Sequence, residues 1–123
     1  MARKRTIIPK RGDIVVVNFD LTIGFEIKKT CPALVLQNDI GNKYSSVTIV
    51  TAITSIDSGE KMYPTEVVIK AKEGGLDNDS AILLSQIRTV DKQRLVKKLG
   101  AISKETMSEV NNALEISLGI IEI

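Results

Sequence analysis

Residues 25–38 read FEIKKTCPALVLQN and residues 48–55 read TIVTAITS, and the way these two runs end sets the expectation for the fold. In the first, a basic segment of Lys28, Lys29 and Thr30 leads through Cys31 and Pro32 into the apolar run from Ala33 to Leu36. Proline cannot donate to a sheet ladder, so Pro32 is expected at the first residue of a strand or on an edge. The second run is rich in β-branched residues, which favour a pleated surface, and carries Thr54 to its own end. Two strand ends meeting in this way would form a small polar site.

Working outward, Lys10 to Asp13 reads as a turn and Ile14 to Phe19 as a strand whose nearly continuous apolar character implies burial on both faces. Residues 20–31 have loop composition and are long for a hairpin, a length often tied to function. Residues 38–42, Asn-Asp-Ile-Gly-Asn, are dense in turn formers, and residues 55–61 read as a second loop. Glu66 to Ile69 form a strand ending at the Gly74-Gly75 turn. Residues 77–80, Asp-Asn-Asp-Ser, lack the alternation and closing glutamate of a calcium loop and read as a turn. Ala81 to Leu84 form a short strand leading to Gln86, Arg88 and Thr89. Asp91 is expected to cap a short helix over Lys92 to Leu99, with Gly100 as its stop. Ser103 is expected to cap a longer one, with Met107, Val110, Leu114, Leu118 and Ile121 on one face. Five or six strands with C-terminal helices predict a mainly β fold, a small barrel with a helix packed on it.

Composition narrows the chemistry. The 123 residues fit one domain, and 43% hydrophobic with 26% charged residues is ordinary for a globular protein. Only Phe19, Phe25, Tyr44 and Tyr63 are aromatic, so the core must be aliphatic and a platform stacking several bases is not expected. The net charge is +2, a small excess concentrated in Arg3, Lys4 and Arg5. The apolar stretch after that tail is broken at Pro9, unlike a signal peptide, and no run approaches the roughly 18 apolar residues of a membrane helix. One cysteine and no histidine leave a zinc site almost without ligands. A lone cysteine suits a reducing cytoplasm. Catalysis is expected to run without imidazole, metal or cofactor.

The stretches RGDIVVVNFD (11–20), CPALVLQNDIGNKYS (31–45), TIVTAITS (48–55), YPTEVVI (63–69) and DSAILLSQIRTVDKQRL (79–95), with Gly24 to Glu26 and the C-terminal helix, resemble the MazF/PemK-type toxins over nearly the whole chain. That resemblance implies a small SH3-like barrel of the kind shared with the gyrase-poisoning CcdB toxins. It also implies a homodimer, an antitoxin that occupies the same groove, and metal-independent cutting of single-stranded messenger RNA to a 2′,3′-cyclic phosphate and a 5′-hydroxyl. By the same resemblance Thr54 hydrogen-bonds the scissile phosphate, while Glu26, Phe25, Lys28, Tyr63, Gln86 and Arg88 lie along or near the RNA groove. Each of these has a plainer reading, as a loop charge, a strand-end amide or a surface cation.

Three positions depart from the pattern. Phe25 stands where the family often has serine and Leu21 where it often has proline, changes that bear on which sequence is cut. The third bears on catalysis. Where the family carries a catalytic arginine before the proline, this chain has Cys31. A guanidinium forks onto two phosphate oxygens and keeps its charge, whereas a thiol does neither and a thiolate has the wrong sign. The chain as written is therefore expected to be impaired in RNA cleavage. A non-cleaving RNA- or antitoxin-binding module and, further off, a gyrase poison are the alternatives; the retained AITS and QIRT stretches speak against the last.

Overall fold

The computed structural model describes residues 6–19, 30–57 and 63–122. Within them six strands form one antiparallel sheet: β1 (Asp13–Asn18), β2 (Thr30–Val35), β3 (Val47–Ser55), β4 (Glu66–Ile69), β5 (Ser80–Asp91) and β6 (Leu95–Ala101). The spatial order is β4-β5-β3-β2-β1-β6. No pairing joins β4 to β6 among the described residues, so the expected barrel is an open, coiled sheet. Two helices, α1 (Asp39–Tyr44) and α2 (Lys104–Ser117), complete the fold.

The sheet has an apolar core on each side, as the continuous runs of β1 and β2 implied. Successive side chains alternate across a strand. Ile14, Leu34, Leu36, Ile53, Ile82 and Leu84 face α2, which contributes Val110 and Ala113. Val15, Val17, Ala33, Val35, Val50, Val90 and Leu95 face the other way, with Ile7 and Phe19 packed against them. Leucine, isoleucine and valine make up nearly all of both cores, as the scarcity of aromatics required.

Two expected elements are different in the structure. Residues 38–42 are not a turn but the start of α1. Asn38 accepts the Gly41 N–H at 2.8 Å, and Asp39 and Lys43 occupy the ends that the helix dipole favours. Six residues are too few for an autonomous helix; α1 is held by Asn42, which is fully buried. Its Nδ2 donates to Gln37 O at 2.8 Å, and its Oδ1 accepts from Thr48 Oγ1 at 2.7 Å and Gln37 Nε2 at 3.1 Å.

The helix expected over Lys92 to Leu99 is only a 3-10 turn, Lys92–Arg94, in which Asp91 does act as the cap for Gln93 N at 2.8 Å. From Leu95 the chain extends and pairs with β1. The outer edge of β1 needs a hydrogen-bonding partner, and that tertiary demand overrides the helical spacing of Leu95 and Leu99. The Gly74-Gly75 turn is confirmed and packs on this strand. A Cβ on Gly75, whose φ is +84°, would stand 2.3 Å from Leu99 O.

Ser103 caps α2 by accepting Thr106 N–H at 3.1 Å, and Glu73 Oε2 accepts the Thr106 hydroxyl at 2.6 Å. Val110 is buried, with Met107 and Leu114 packed against the core. Leu118 and Ile121, expected on the same face, are exposed, because the helix stops at Ser117 and Gly119 takes a φ of +74°. No helix among the described residues is long and apolar enough to cross a membrane.

Arg11 joins these parts. Its Nε donates to Leu36 O at 2.9 Å and its Nη2 to Asn111 Oδ1 at 2.7 Å, tying the start of β1 to the end of β2 and to α2. Its backbone N–H donates to Asp39 Oδ1 at 2.7 Å, and that bond holds the Asp39 carboxyl below its usual 3.8. A carboxylate with a depressed folded pKa adds stability above its unfolded value and loses it as pH falls through the folded one. Asp39→Asn is therefore expected to lower the melting temperature at pH 7, with the gap to the parent closing below about pH 3.8. Thermal melts of both proteins between neutral and acid pH check this.

Candidate functional site

The site forms where a ladder stops. β2 and β3 pair at Val35↔Val50, Leu34↔Thr51 and Ala33↔Ala52, and no further. The next residue of β2 is Pro32, which is paired on its other side with Val16. Pro32 is thus neither first in its strand nor on an edge. It is the third residue of a central strand, and its missing N–H lies where the β2–β3 ladder ends. Beyond it Thr30–Pro32 and Ile53–Ser55 run on without pairing to each other. On the α2-facing side of these ends lies a cavity of about 220 Å³, lined by Pro32 and Ser55 together with Leu76, Asp77, Asn78 and Leu99.

Carrying the same register two residues past Ala33↔Ala52 sets Cys31 across from Thr54. Strand alternation puts both side chains on the face that carries Ala33 and Val50. Thr54 is exposed and Cys31 half-buried. Among the described residues the Thr54 hydroxyl has only a marginal bond, 3.5 Å to Ser55 O, which leaves it available to an incoming acceptor.

β5 adds a cation to this face. Its ladder with β3 runs to Thr51↔Ile87 and resumes at Ala52↔Leu83, so Leu84, Ser85 and Gln86 are extra residues on the β5 side. Such bulges re-aim side chains. Thr51 holds the bulge by bonding its hydroxyl to Leu83 O, with Gln86 O at 3.2 Å. Gln86 within it and Arg88 beyond it are exposed. Arg88 lies opposite Val50, and its guanidinium carbon sits 4.7 Å from the centroid of the Phe19 ring.

Cys31, Thr54 and Arg88 thus share one sheet face, with Gln86 in the bulge beside it. Tyr63 is elsewhere. It is exposed beside β4 in a groove of about 650 Å³ shared with Glu105, Glu109 and Asn112 of α2, on the helix side of the sheet. Phe25, Glu26 and Lys28 lie outside the described residues.

Phe19 was not among the expected site residues. Its signal was legible: it continues the Val15, Val17 alternation on the face opposite α2. The bulge had no comparable signal: the strand expected over Ala81 to Leu84 is in fact the first part of β5, which continues past the bulge to Asp91 because β3 offers its edge along that length. The arrangement offers a hydroxyl donor, a guanidinium and an aromatic floor on one exposed face, a set suited to an anionic, partly planar ligand.

Residues 10–118 match the family model for the PemK-like, MazF-like toxin of type II toxin–antitoxin systems. The chain is 47% identical over 115 residues to the Bacillus subtilis protein named endoribonuclease EndoA, covering 94% of this chain and 98% of that one. It is 48% identical over 111 residues to the Staphylococcus epidermidis protein named endoribonuclease MazF, covering 90% and 92%. Among solved structures it is similar to a MazE–MazF complex from Deinococcus radiodurans, with a TM-score of 0.76 and 27% identity over 94% of this chain and 99% of that one.

Proposed function

This chain belongs to the PemK-like, MazF-like family of toxins of type II toxin–antitoxin systems, and from that membership we propose that it is an endoribonuclease acting on single-stranded RNA in the cytoplasm. It works as a homodimer, and a cognate antitoxin covers its groove. The observation that carries the reading is the juxtaposition of Cys31 and Thr54 at the unpaired ends of β2 and β3, on the face that bears Arg88.

In the reaction the ribose 2′-oxygen attacks the neighbouring phosphorus as its proton departs. The 2′-O–P bond forms, the P–O5′ bond breaks, and the 5′-oxygen takes up a proton. The products are a 2′,3′-cyclic phosphate and a 5′-hydroxyl, with no oxidant, reductant or co-substrate consumed. Thr54 donates to a non-bridging phosphate oxygen. The negative charge that accumulates on the phosphorane needs a preorganised donor or cation, and Cys31 does not provide one. Cleavage is therefore slow relative to a chain with arginine at that position.

Thr54→Val is expected to slow cleavage about 10- to 100-fold, the loss of one hydrogen bond to a charged group. Incubation of both proteins with a long single-stranded RNA in EDTA, followed by end-group analysis, checks it. Intact RNA with both the parent and Cys31→Arg would contradict the nuclease reading. Cys31 favours a second reading, a module that binds RNA or antitoxin without cutting. Tight binding of the RNA with no cleavage by the parent, and cleavage restored only in Cys31→Arg, would select it.

A further inference from the structure

We propose that Arg88 supplies, from the opposite side of the groove, the positive charge that position 31 lacks, and so acts as a catalytic residue in the residual RNA cleavage by this chain. The inference rests on the endoribonuclease reading above.

Its geometric basis is the path of one side chain. Arg88 starts beside Val50 on β5, yet its guanidinium lies over the ring of Phe19, at the end of β1. Phe19 is two residues beyond Val17 on the same face, and Val17 is the register partner of Cys31. Phe19 and Cys31 are therefore diagonal neighbours, a relation that spans roughly 7–8 Å. The guanidinium thus lies over the ring of a residue one diagonal step from Cys31 on the same face.

The contact with Phe19 also determines how the charge is presented. A guanidinium over an aromatic ring engages that ring electrostatically. When it stacks, its five N–H donors lie in its own plane, free to meet phosphate oxygens. No hydrogen bond or ion pair engages Arg88 among the described residues. The cation is thus restrained by an apolar contact and unspent on any carboxylate. In the cleavage step it keeps its proton throughout and offsets the charge that develops on the non-bridging oxygens, while bond making and breaking proceed as described above.

The test is a cycle of four proteins: the parent, Arg88→Ala, Cys31→Arg, and the double variant. Single-turnover cleavage is measured at saturating RNA, with binding of a 2′-deoxy analogue and thermal melting measured in parallel. A substitute cation predicts that Arg88→Ala slows the parent about 100-fold or more, but slows Cys31→Arg less than about tenfold, a non-additivity that a merely structural role would not produce. Arg88→Lys should restore part of the parent's rate by keeping the charge without the fork. Equal losses in both backgrounds, or a loss confined to analogue binding, would overturn the proposal and leave Arg88 as an ordinary phosphate contact. So would a parent rate indifferent to Arg88 while Cys31→Arg cleaves briskly. No cleavage by any of the four would remove the nuclease reading itself.

Discussion

Replacing Cys31 by arginine is expected to raise the rate of single-stranded RNA cleavage about 10²- to 10³-fold, the usual effect of one preorganised donor at a developing negative charge. The substitution has structural support. Position 31 is only half-buried, and it sits past the last β2–β3 pair. A longer side chain there starts from a partly exposed position rather than from inside either core. The gain should appear in the chemical step rather than in binding, because a cation aimed at the phosphorane acts most strongly where charge is greatest. Single-turnover rates at saturating RNA separate the two. A gain confined to affinity would assign position 31 to substrate binding instead.

The second large effect concerns the fold. Asn42→Ala is expected to destabilise the protein by roughly 3 kcal/mol, since it strands buried partners as well as opening a cavity. Gln37 O, Gln37 Nε2 and the Thr48 hydroxyl all lose a bond at once, and the short α1 loses the anchor that holds it to β3. For a chain of this size the melting temperature should drop by about 10 °C. Thr48→Val removes one arm of the same network, so combining it with Asn42→Ala should cost less than the sum of the two. Thermal or urea unfolding of the three variants measures this. Strict additivity would mean that Asn42 acts through packing alone.

These two positions show what was legible in the sequence. The strands of β1, β2, β3 and β4 followed from β-branched runs bounded by turn residues, and α2 followed from its Ser103 cap and apolar spacing. Local signals failed where a distant partner decides the conformation. Asn42 looked like one more turn former, because nothing in the residues around it shows that Thr48 and Gln37 will enclose its amide. Leu95 to Leu99 looked helical because the open edge of β1 is invisible from eighty residues away. That Cys31 and Thr54 would lie at neighbouring strand ends was within reach, since each flanks an apolar run. That Pro32 would lie inside a central strand and end its ladder was not, because a proline more often marks a strand's first residue or edge. The route of Arg88 to Phe19 depends on the coiling of the whole sheet, and no spacing in the sequence encodes it.

The central claim is that the unpaired ends of β2 and β3 bring residues 31 and 54 face to face in one groove. Ala33 and Ala52, the last pair of the ladder, are directly opposed, a relation with Cα atoms about 4.5–5.5 Å apart, and residues 31 and 54 lie two positions beyond them, within the span of a short bifunctional reagent. The Thr54→Cys variant, treated when dilute with a short bis-thiosulfonate and mapped by mass spectrometry, should yield a linked peptide joining residues 31 and 54 of the same chain. Ready labelling of both thiols by a monofunctional reagent, with no such link formed by the bifunctional one, would contradict the account.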